Sequence, residues 1–500
     1  MHDLGLAVHQ DRGPLYQQIF DQIAERIRTG TFPEGFRLPP SRALADSLGT
    51  HRNTVMRAYS ELESAGFLSS TVGRGTFVKA IPAGLRPTSD AAAEPSLPFE
   101  ALLSRAARSE PMRRFQRMRR ATVPSDVVDL TRMMPPAELL PIELLRRCLD
   151  HALKTQGAKA LAYAPKEGLR TLREHVSLDL ARRGVPAGAD DILITTGSQQ
   201  GLDLVARALL DPGDVVLTHA ATYAGALQVF AATGAHIVGV PNDVDGPDLE
   251  ALRRLGARRP KLLYLMPNHA NPTGACIANA RRASILEWAR DAQVAVIEDD
   301  YAVDLELDGA PLPTALRALD PDVIHIGGFS KRLIPALRIG YVVAPPTLAP
   351  HLLAMKHTTD LGSSALTQLA LAEFLERGYL AAHLNKIQPA YRARRDVLVD
   401  GLREHLPSDM RVLRPARGVS VWVDLPPDMT PERVFDEALQ EKVLVSPGHY
   451  FAVDEGARNG LRLNFGWESE DRLALGAVRV GKALEAARAR DRSGPAVGLV

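Results

Sequence analysis

The sequence predicts a multidomain protein: a small, mainly α-helical N-terminal domain, then a large α/β domain that ends in a smaller α+β subdomain. Three observations support this fold class. Apolar residues recur at helical spacing near the N-terminus, strand-like apolar runs alternate with helix-length segments from about residue 128, and a segment rich in Pro and Ala separates the two regions. A chain of 500 residues is also longer than a typical single domain.

Residues 10–79 are predicted to form three helices followed by a hairpin. The apolar face of the first helix consists of Leu15, Ile19, Ile23 and Ile27. Ser41 and Thr50 are suited to cap the second and third helices, because their hydroxyls can accept from free backbone N–H groups. Residues 67–70 and 75–78 have the pattern of two short strands. This order of elements is that of a winged helix-turn-helix.

In such a motif the third helix enters the major groove of DNA, and its first residues face the base edges. Arginine pairs with guanine and asparagine with adenine, while other basic residues contact phosphates. The candidate DNA contacts are Arg42, Arg52, Asn53, Thr54, Arg57 and Arg74. The alternative is a helical interaction domain with a solvated arginine face, since the formal net charge of +1 gives no general attraction to nucleic acid.

Residues 80–127 are predicted to be a linker. Its first half is rich in Pro, Ala and Ser, which disfavours a core of its own, and arginines crowd residues 105–120. The apolar residues of the second half predict amphipathic turns that dock on the larger domain. Alternatively, its arginines extend the surface that binds DNA.

The third region is predicted to contain a largely parallel sheet, because its apolar runs are separated by helix-length segments. The predicted strands are residues 192–194, 215–217, 237–240, 262–265, 294–297, 323–326 and 341–343. We place the large domain at residues 128–376, the C-terminal subdomain at 377–488 and a tail at 489–500. Ligands of such sheets gather at strand ends and at helix N-termini.

Lys331 lies in a Gly/Ser turn directly after one of these strands. A desolvated lysine has a lowered pKa and becomes a nucleophile toward an aldehyde. Arg338, seven residues further on, suits a doubly charged phosphate. Together the two residues indicate a Schiff-base lysine for pyridoxal 5'-phosphate, whereas a lone Ser-Lys pair would more often be a surface turn.

Two further motifs complete the phosphate and ring contacts. Gly197, Ser198 and Gln199 follow a strand and open a helix, whose free backbone N–H groups can hold a phosphate. Asn271, fixed before a proline, can donate to the phenolate oxygen of the cofactor. Either motif alone is compatible with an ordinary turn.

Asp299 ends another buried strand, where its carboxylate can keep the pyridine nitrogen of the cofactor protonated. Tyr301 can donate to the same phenolate oxygen as Asn271, and Tyr223 can stack its ring on the pyridine. Each residue alone is more often structural. Their order along the chain is hard to explain without the cofactor.

This series of motifs resembles that of a fold-type I aminotransferase over residues 128–485. Residues 37–45 and 52–59 resemble a GntR-type winged helix, and the fusion of the two is typical of MocR-type transcriptional regulators. The resemblance implies that Lys331 forms the Schiff base and that Asp299 pairs with the ring nitrogen. It also implies phosphate contacts from Ser198, Gln199, Ser330 and Arg338. Arg462 matches the arginine that binds the carboxylate of a substrate or effector, and Tyr163 the tyrosine that reaches the phosphate of a partner subunit in a homodimer.

The favoured function is therefore a regulator that binds a double-stranded DNA operator and senses an amino compound or pyridoxal phosphate through Lys331. The alternative is a working aminotransferase of the aminoadipate/kynurenine type with an appended DNA-binding domain. Asn271 is typical of working aminotransferases, whereas the lack of a proline between Asp299 and Tyr301 is typical of MocR-type proteins. A third hypothesis is a scaffold that binds DNA without the cofactor.

Composition predicts a cytoplasmic protein. The two cysteines, Cys148 and Cys276, match no metal-ligand or redox spacing and need no oxidising compartment. The N-terminus lacks the pattern of a signal peptide, and no apolar run approaches the ~18 residues that span a bilayer.

Overall fold

The computed structural model describes residues 4, 6–8, 13–28, 30–71, 75–79, 97, 99–118, 123–302, 304–453 and 459–493. They belong to two compact units, residues 1–102 and residues 103–500. Within the described residues, no helix is both long and apolar enough to cross a membrane.

The first unit is a small helical bundle with a three-stranded antiparallel sheet. Its helices are α1 (Leu15–Arg28), α2 (Ser41–Ser47), α3 (Arg52–Ser64) and α4 (Phe99–Leu102). Its strands are β1 (Arg37–Leu38), β2 (Leu68–Thr71) and β3 (Gly75–Val78), arranged in the order β1-β3-β2. The three helices and hairpin of the predicted winged helix-turn-helix are thus present.

The apolar stripe of α1 packs against that of α3 and forms the core of this unit. Ile19 and Ile23 of α1 and Val55 of α3 are completely buried. The predicted caps are wrong, because the residues at the N-cap positions of α2 and α3 are Pro40 and His51, and neither side chain caps its helix. The N–H of Thr50 bonds instead to the carbonyl of Ala45, so Thr50 belongs to the turn before α3.

The second unit contains the remaining elements. Its helices are α5 (Glu110–Met118), α6 (Ile142–Gln156), α7 (Arg170–Arg182), α8 (Ser198–Leu209), α9 (Ala224–Thr233), α10 (Leu249–Gly256), α11 (Asn279–Asp291), α12 (Leu316–Leu319), α13 (Ala349–Asp360), α14 (Ala365–Glu376), α15 (Tyr379–His405), α16 (Pro431–Gln440) and α17 (Glu470–Ser493). Its strands are β4 (Val128–Asp129), β5 (Ile192–Thr195), β6 (Val215–His219), β7 (His236–Val240), β8 (Asn242–Asp243), β9 (Gly246–Pro247), β10 (Leu262–Leu265), β11 (Ala295–Asp300), β12 (Ile324–Gly328), β13 (Gly340–Val343), β14 (Ser420–Asp424), β15 (Val443–Leu444), β16 (Ser446–Pro447) and β17 (Gly460–Asn464).

A seven-stranded sheet organises the larger part of this unit. Its order is β5-β13-β12-β11-β10-β6-β7, and all seven strands coincide with the predicted apolar runs. Only β13 runs antiparallel to its neighbours. The carboxyl ends of the other six strands therefore meet at one edge, where a doubly wound sheet binds its ligands.

The C-terminal part packs α15, α16 and α17 around a small antiparallel sheet of order β14-β17-β16. Buried apolar residues from these helices and strands, such as Leu398, Val421 and Leu463, share one core. Strand β4 pairs with β15, so the chain at residues 128–129 packs with this part before it enters the large sheet. Met133, a few residues further on, contacts both Lys331 beyond the large sheet and Arg462 of the C-terminal sheet.

Candidate functional site

Lys331 lies just beyond the end of β12, where the carboxyl ends of the large sheet meet. Its ammonium group donates a hydrogen bond to the carbonyl oxygen of Met133. Burial, together with the positive charges of Arg462 and Arg338, lowers the pKa of the amine to about 8. A larger fraction of this amine is therefore neutral near pH 7 than for an ordinary lysine.

Asp299 lies near the end of β11, beside β12, and is almost completely buried. Its Oδ2 accepts a 2.6 Å hydrogen bond from the hydroxyl of Tyr264 on the neighbouring strand β10. Its Oδ1 is buried and has no hydrogen-bond partner among the described residues. Burial, with a smaller contribution from the charge of Asp300, raises the pKa of the carboxyl to about 6 against the opposing effect of the Tyr264 bond.

Arg462 and Asn271 meet in the cleft between the large sheet and the C-terminal sheet. The guanidinium donates to Oδ1 of Asn271 at 3.1 Å, to Oγ of Ser446 at 3.2 Å and to the carbonyl of Thr131 at 3.3 Å. Burial lowers the pKa of Arg462 to about 10. The hydroxyl of Tyr301 is also buried here, and the described part of the chain provides it with no partner.

The predicted phosphate contacts surround the start of α8. Gly197 precedes this helix with φ +83°, a conformation that favours glycine. A Cβ atom on Gly197 would lie only 2.6 Å from Nη2 of Arg338, and one on Gly340 would lie 2.6 Å from the backbone N of Ser198. Arg338 itself donates to the carbonyl of Thr196 at 3.2 Å. The arginine and the helix N-terminus are thus adjacent.

Three other predicted residues are Tyr223, Gln199 and Ser330. Tyr223 immediately precedes α9, and its ring lies so close to Gly225 that a Cβ there would be 2.5 Å from Cζ. Burial raises the pKa of Tyr223, an effect strengthened by the charge of Asp299. Gln199 donates to the carbonyl of Gly225 at 3.0 Å, and Ser330 directly precedes the lysine.

Sequence reasoning did not identify Tyr264 and Met133 as site residues. Tyr264 is the only side chain with a hydroxyl in the apolar run of β10, and this strand adjoins the one that carries Asp299. That pattern could have identified it. Met133 contacts Lys331 through a backbone carbonyl, for which the sequence carries no signal.

The residues present fit pyridoxal 5'-phosphate. The unpartnered oxygens of Asp299 and Tyr301 match the ring nitrogen and the phenolate oxygen, while Arg338 and the start of α8 match the phosphate. Lys331, with its lowered pKa, matches the aldehyde. In the portion of the chain that the structure describes, no group of three His, Cys, Asp or Glu residues could hold a metal ion.

The first unit exposes most of the predicted DNA contacts. Arg52 and Asn53, the first two residues of α3, are exposed, Thr54 is half-buried, and Arg42 is exposed on α2. Nε of Arg52 lies 3.4 Å from Oγ of Ser41. The start of α3 therefore presents its polar side chains to solvent, as base readout requires.

Arg57 differs from Arg52 because an acidic and an aromatic side chain of the same unit both engage its guanidinium. It forms an ion pair with Glu61 at 3.2 Å, and its guanidinium lies 3.7 Å from the centre of the Tyr16 ring. Arg74 lies outside the described residues. In the second unit, the side chain of Tyr163 is 87% exposed.

The fold and site define a pyridoxal-phosphate-binding domain of the aminotransferase type joined to a winged helix. Comparisons with known families agree with this class. Residues 138–478 match the family "Aminotransferase class I and II", and residues 15–78 match "Bacterial regulatory proteins, gntR family". The solved structure of LysN, the α-aminoadipate aminotransferase of Thermus thermophilus, is 32% identical with a TM-score of 0.72; the match covers 79% of this chain and 100% of that one.

Two curated relatives are named as regulators. The uncharacterized HTH-type transcriptional regulator YdfD of Bacillus subtilis is 30% identical over 94% of this chain and 96% of its own length. The probable rhizopine catabolism regulatory protein MocR of Rhizobium meliloti is 31% identical over 79% of this chain and 78% of its own length. The chain belongs to the class I and II aminotransferase family and, through its GntR domain, to the MocR-type group of pyridoxal-phosphate-dependent regulators.

Proposed function

We propose that this protein regulates transcription by binding an amino compound, or pyridoxal phosphate itself, at Lys331 and changing its affinity for DNA. One observation carries the proposal: a chain whose α3 exposes Arg52 and Asn53 also has a buried lysine of lowered pKa just beyond β12, and a buried carboxylate with an unpartnered oxygen, Asp299, near the end of the adjacent strand β11. A ligand changes an equilibrium only through different affinities for its two states. The amino compound must therefore favour one conformation of the protein over the other.

The chain's own residues prepare the site for this ligand. When bound, pyridoxal phosphate supplies an aldehyde for the lysine amine and a ring that withdraws electrons. Lys331 provides an amine that loses its proton more readily than an ordinary lysine, because burial and two nearby arginines lower its pKa to about 8. Asp299 provides a carboxylate for the ring nitrogen, held in place by Tyr264. Arg338 and the N–H groups at the start of α8 would hold the phosphate, the arginine by its charge and the N–H groups by hydrogen bonds.

Arg462 is proposed to bind the carboxylate of the amino compound. Its guanidinium is buried and held by Asn271, Ser446 and Thr131, so a bidentate acceptor would meet a preorganised donor. A carboxylate would also compensate the charge of a buried arginine whose pKa is lowered. Selectivity for an α-amino acid over a simple amine follows from this contact.

We further propose a homodimer that acts in the cytoplasm. Tyr163 is aromatic and yet 87% exposed, and Leu161 beside it is 73% exposed. Adjacent exposed apolar side chains favour contact with a partner surface. In this arrangement Tyr163 would reach the phosphate bound by the partner subunit.

A working aminotransferase is the second candidate, favoured by the complete set of Lys331, Asp299, Asn271 and Arg462 in one cleft. Each residue that binds the cofactor and a carboxylate is present, so nothing in this set prevents turnover. LysN, which shares the fold, is an aminotransferase and was solved with N-(5'-phosphopyridoxyl)-L-leucine.

One experiment distinguishes the two. The purified holoprotein is mixed with a panel of amino acids, its visible absorbance is followed, and retention of genomic DNA fragments is measured in parallel. A stable spectral change that alters DNA retention supports the regulator, whereas conversion that a 2-oxo acid reverses supports the enzyme. Lys331→Ala should lose the visible absorbance of the bound cofactor. DNA retention that no amino acid and no cofactor alters would contradict the proposed sensing.

A further inference from the structure

Helix α5 lies at the end of the segment that joins the winged helix to the large unit, and an arginine ties it to that unit. Nη1 of Arg114 donates to two backbone carbonyls, those of His449 at 2.9 Å and Ala452 at 2.8 Å. Its Nε also pairs with Glu110 on the same helix at 3.4 Å. The helix packs against the start of α9 as well. Contacts with two separate elements thus fix α5.

Both of these elements carry parts of the ligand site. The ring of Phe451, within residues 448–452, lies 4.7 Å from the guanidinium carbon of Arg462. The N–H of Thr222 donates to the carbonyl of Phe451 at 2.9 Å, and Tyr223 follows directly. Helix α9 begins just after Tyr223. One turn, 448–452, therefore connects Arg114 with the proposed carboxylate-binding arginine and with the proposed stacking tyrosine.

We propose that Arg114 couples the linker to the ligand site without taking part in binding: it holds linker helix α5 on the 448–452 turn, so that α5 responds to occupancy of the site. The inference rests on the proposed function. In this proposal, a ligand carboxylate at Arg462 shifts the position of the Phe451 ring. A cofactor ring stacked on Tyr223 shifts the first residues of α9. Both changes reach the carbonyls to which Arg114 donates.

The chemistry of the contact requires an arginine. A guanidinium presents several N–H donors in a rigid fork, and one such group can serve two carbonyls together with a carboxylate. Neighbouring Arg113 lies on the same helix but is exposed. It has the same charge and helix propensity, so Arg113→Ala is a matched control for Arg114→Ala.

Hydrogen–deuterium exchange of the full-length protein tests the proposal. Exchange of residues 110–118 is measured for the apoprotein, with pyridoxal phosphate, and with N-(5'-phosphopyridoxyl)-L-leucine, which carries both the phosphate and a carboxylate. In the wild type and in Arg113→Ala, we expect the leucine compound to change exchange in α5 about threefold or more. In Arg114→Ala, we expect rapid exchange that neither compound alters, with cofactor affinity within about twofold of the wild type.

The second readout is the ratio of DNA retention with and without the leucine compound, measured on genomic fragments that the wild type retains. Arg114→Ala should bind these fragments but lose the effect of the ligand, while Arg113→Ala should keep it. Unchanged exchange of α5 in the liganded wild type, or an unaltered ligand effect in Arg114→Ala, would overturn the inference. Failure to bind pyridoxal phosphate at all would instead contradict the proposed function.

Discussion

The hydroxyl of Tyr264 donates a 2.6 Å hydrogen bond to Oδ2 of Asp299, and Oδ1 of the same buried carboxylate lacks a partner among the described residues. The bond fixes the carboxylate and stabilises its charged form, while burial favours the protonated form and raises the pKa to about 6. The free oxygen can then meet a cationic ring nitrogen. The charge of Asp299 near neutral pH thus depends on a tyrosine that no motif includes.

Tyr264→Phe should weaken the binding of pyridoxal phosphate, and more so at pH 6 than at pH 8. Without the bond, Asp299 binds its proton more tightly, and that proton must leave before the carboxylate pairs with the ring nitrogen. Loss of a hydrogen bond to a charged group corresponds to roughly 1.5–3 kcal/mol, or about ten- to a hundredfold in affinity. Absorbance titrations at the two pH values measure the effect. Tyr391→Phe, a buried change in the core of the C-terminal part, is the control, and an equal loss at both pH values would contradict the explanation.

Cofactor affinity should rise with pH up to about 8 and then level off, because only the neutral amine of Lys331 reacts with an aldehyde and its pKa is about 8. Below this pH the amine must first lose a proton. Arg462→Gln removes a positive charge that lowers this pKa, so the midpoint of the profile should move to higher pH. Arg146→Gln, at an exposed position on α6, should leave the midpoint unchanged. A midpoint unaffected by Arg462→Gln would disprove the electrostatic role of this arginine.

The same lysine should affect stability with a defined sign. Its pKa is about 8 in the folded apoprotein and 10.5 in the unfolded chain, so the unfolded chain binds more protons between these values. The contribution of Lys331 to the free energy of unfolding therefore increases as pH rises from about 8 to 10.5. Lys331→Met should remove this increase, as measured by denaturant titrations across the window. An identical pH slope in both proteins would contradict the lowered pKa.

Gly197→Ala should abolish tight binding of the cofactor phosphate. The new Cβ would lie 2.6 Å from Nη2 of Arg338 and would displace it from the start of α8. Gly213→Ala is a matched control, since Gly213 also has a positive φ, +96°, but has no atom within 4 Å of the added Cβ. Both substitutions should lower stability by about 1 kcal/mol through backbone strain. Only Gly197→Ala should lower cofactor affinity by tenfold or more, as measured by absorbance titration. Equal affinities of the two variants would refute the proposed phosphate site at Arg338 and the start of α8.

Arg52→Ala should weaken DNA binding more than Arg57→Ala does. Arg52 begins α3 and is exposed, whereas Arg57 is already engaged by Glu61 and the Tyr16 ring. Loss of a base contact corresponds to about 1–3 kcal/mol, and loss of a phosphate contact reduces the salt slope by about 1. Binding of recovered genomic fragments at several salt concentrations measures both quantities. A larger effect from Arg57→Ala would show that DNA displaces its internal partners.

Local patterns were sufficient to predict the elements that position the site. All seven strands of the large sheet were predicted, because a buried parallel strand is a short apolar run bounded by turn residues. The predicted strands also located Asp299 and Lys331 at the same edge of the sheet, since the carboxyl ends of neighbouring parallel strands lie at one edge. The caps at Ser41 and Thr50 were predicted wrongly, because a hydroxyl before a helix only permits a cap. Whether the bond forms depends on where the preceding turn ends.

The sequence by itself determined the two-part architecture and the cofactor class, because each is encoded in short motifs or in apolar periodicity. Only the tertiary structure decided which side chains meet. Arg462 donates to Asn271 across 191 residues, Tyr264 reaches Asp299 from the next strand, and Arg114 joins α5 to a turn that lies more than 330 residues away in the chain. Such contacts, and the burial that shifts the pKa values of Lys331 and Asp299, depend on distances in the folded chain, which spacing along the sequence does not specify.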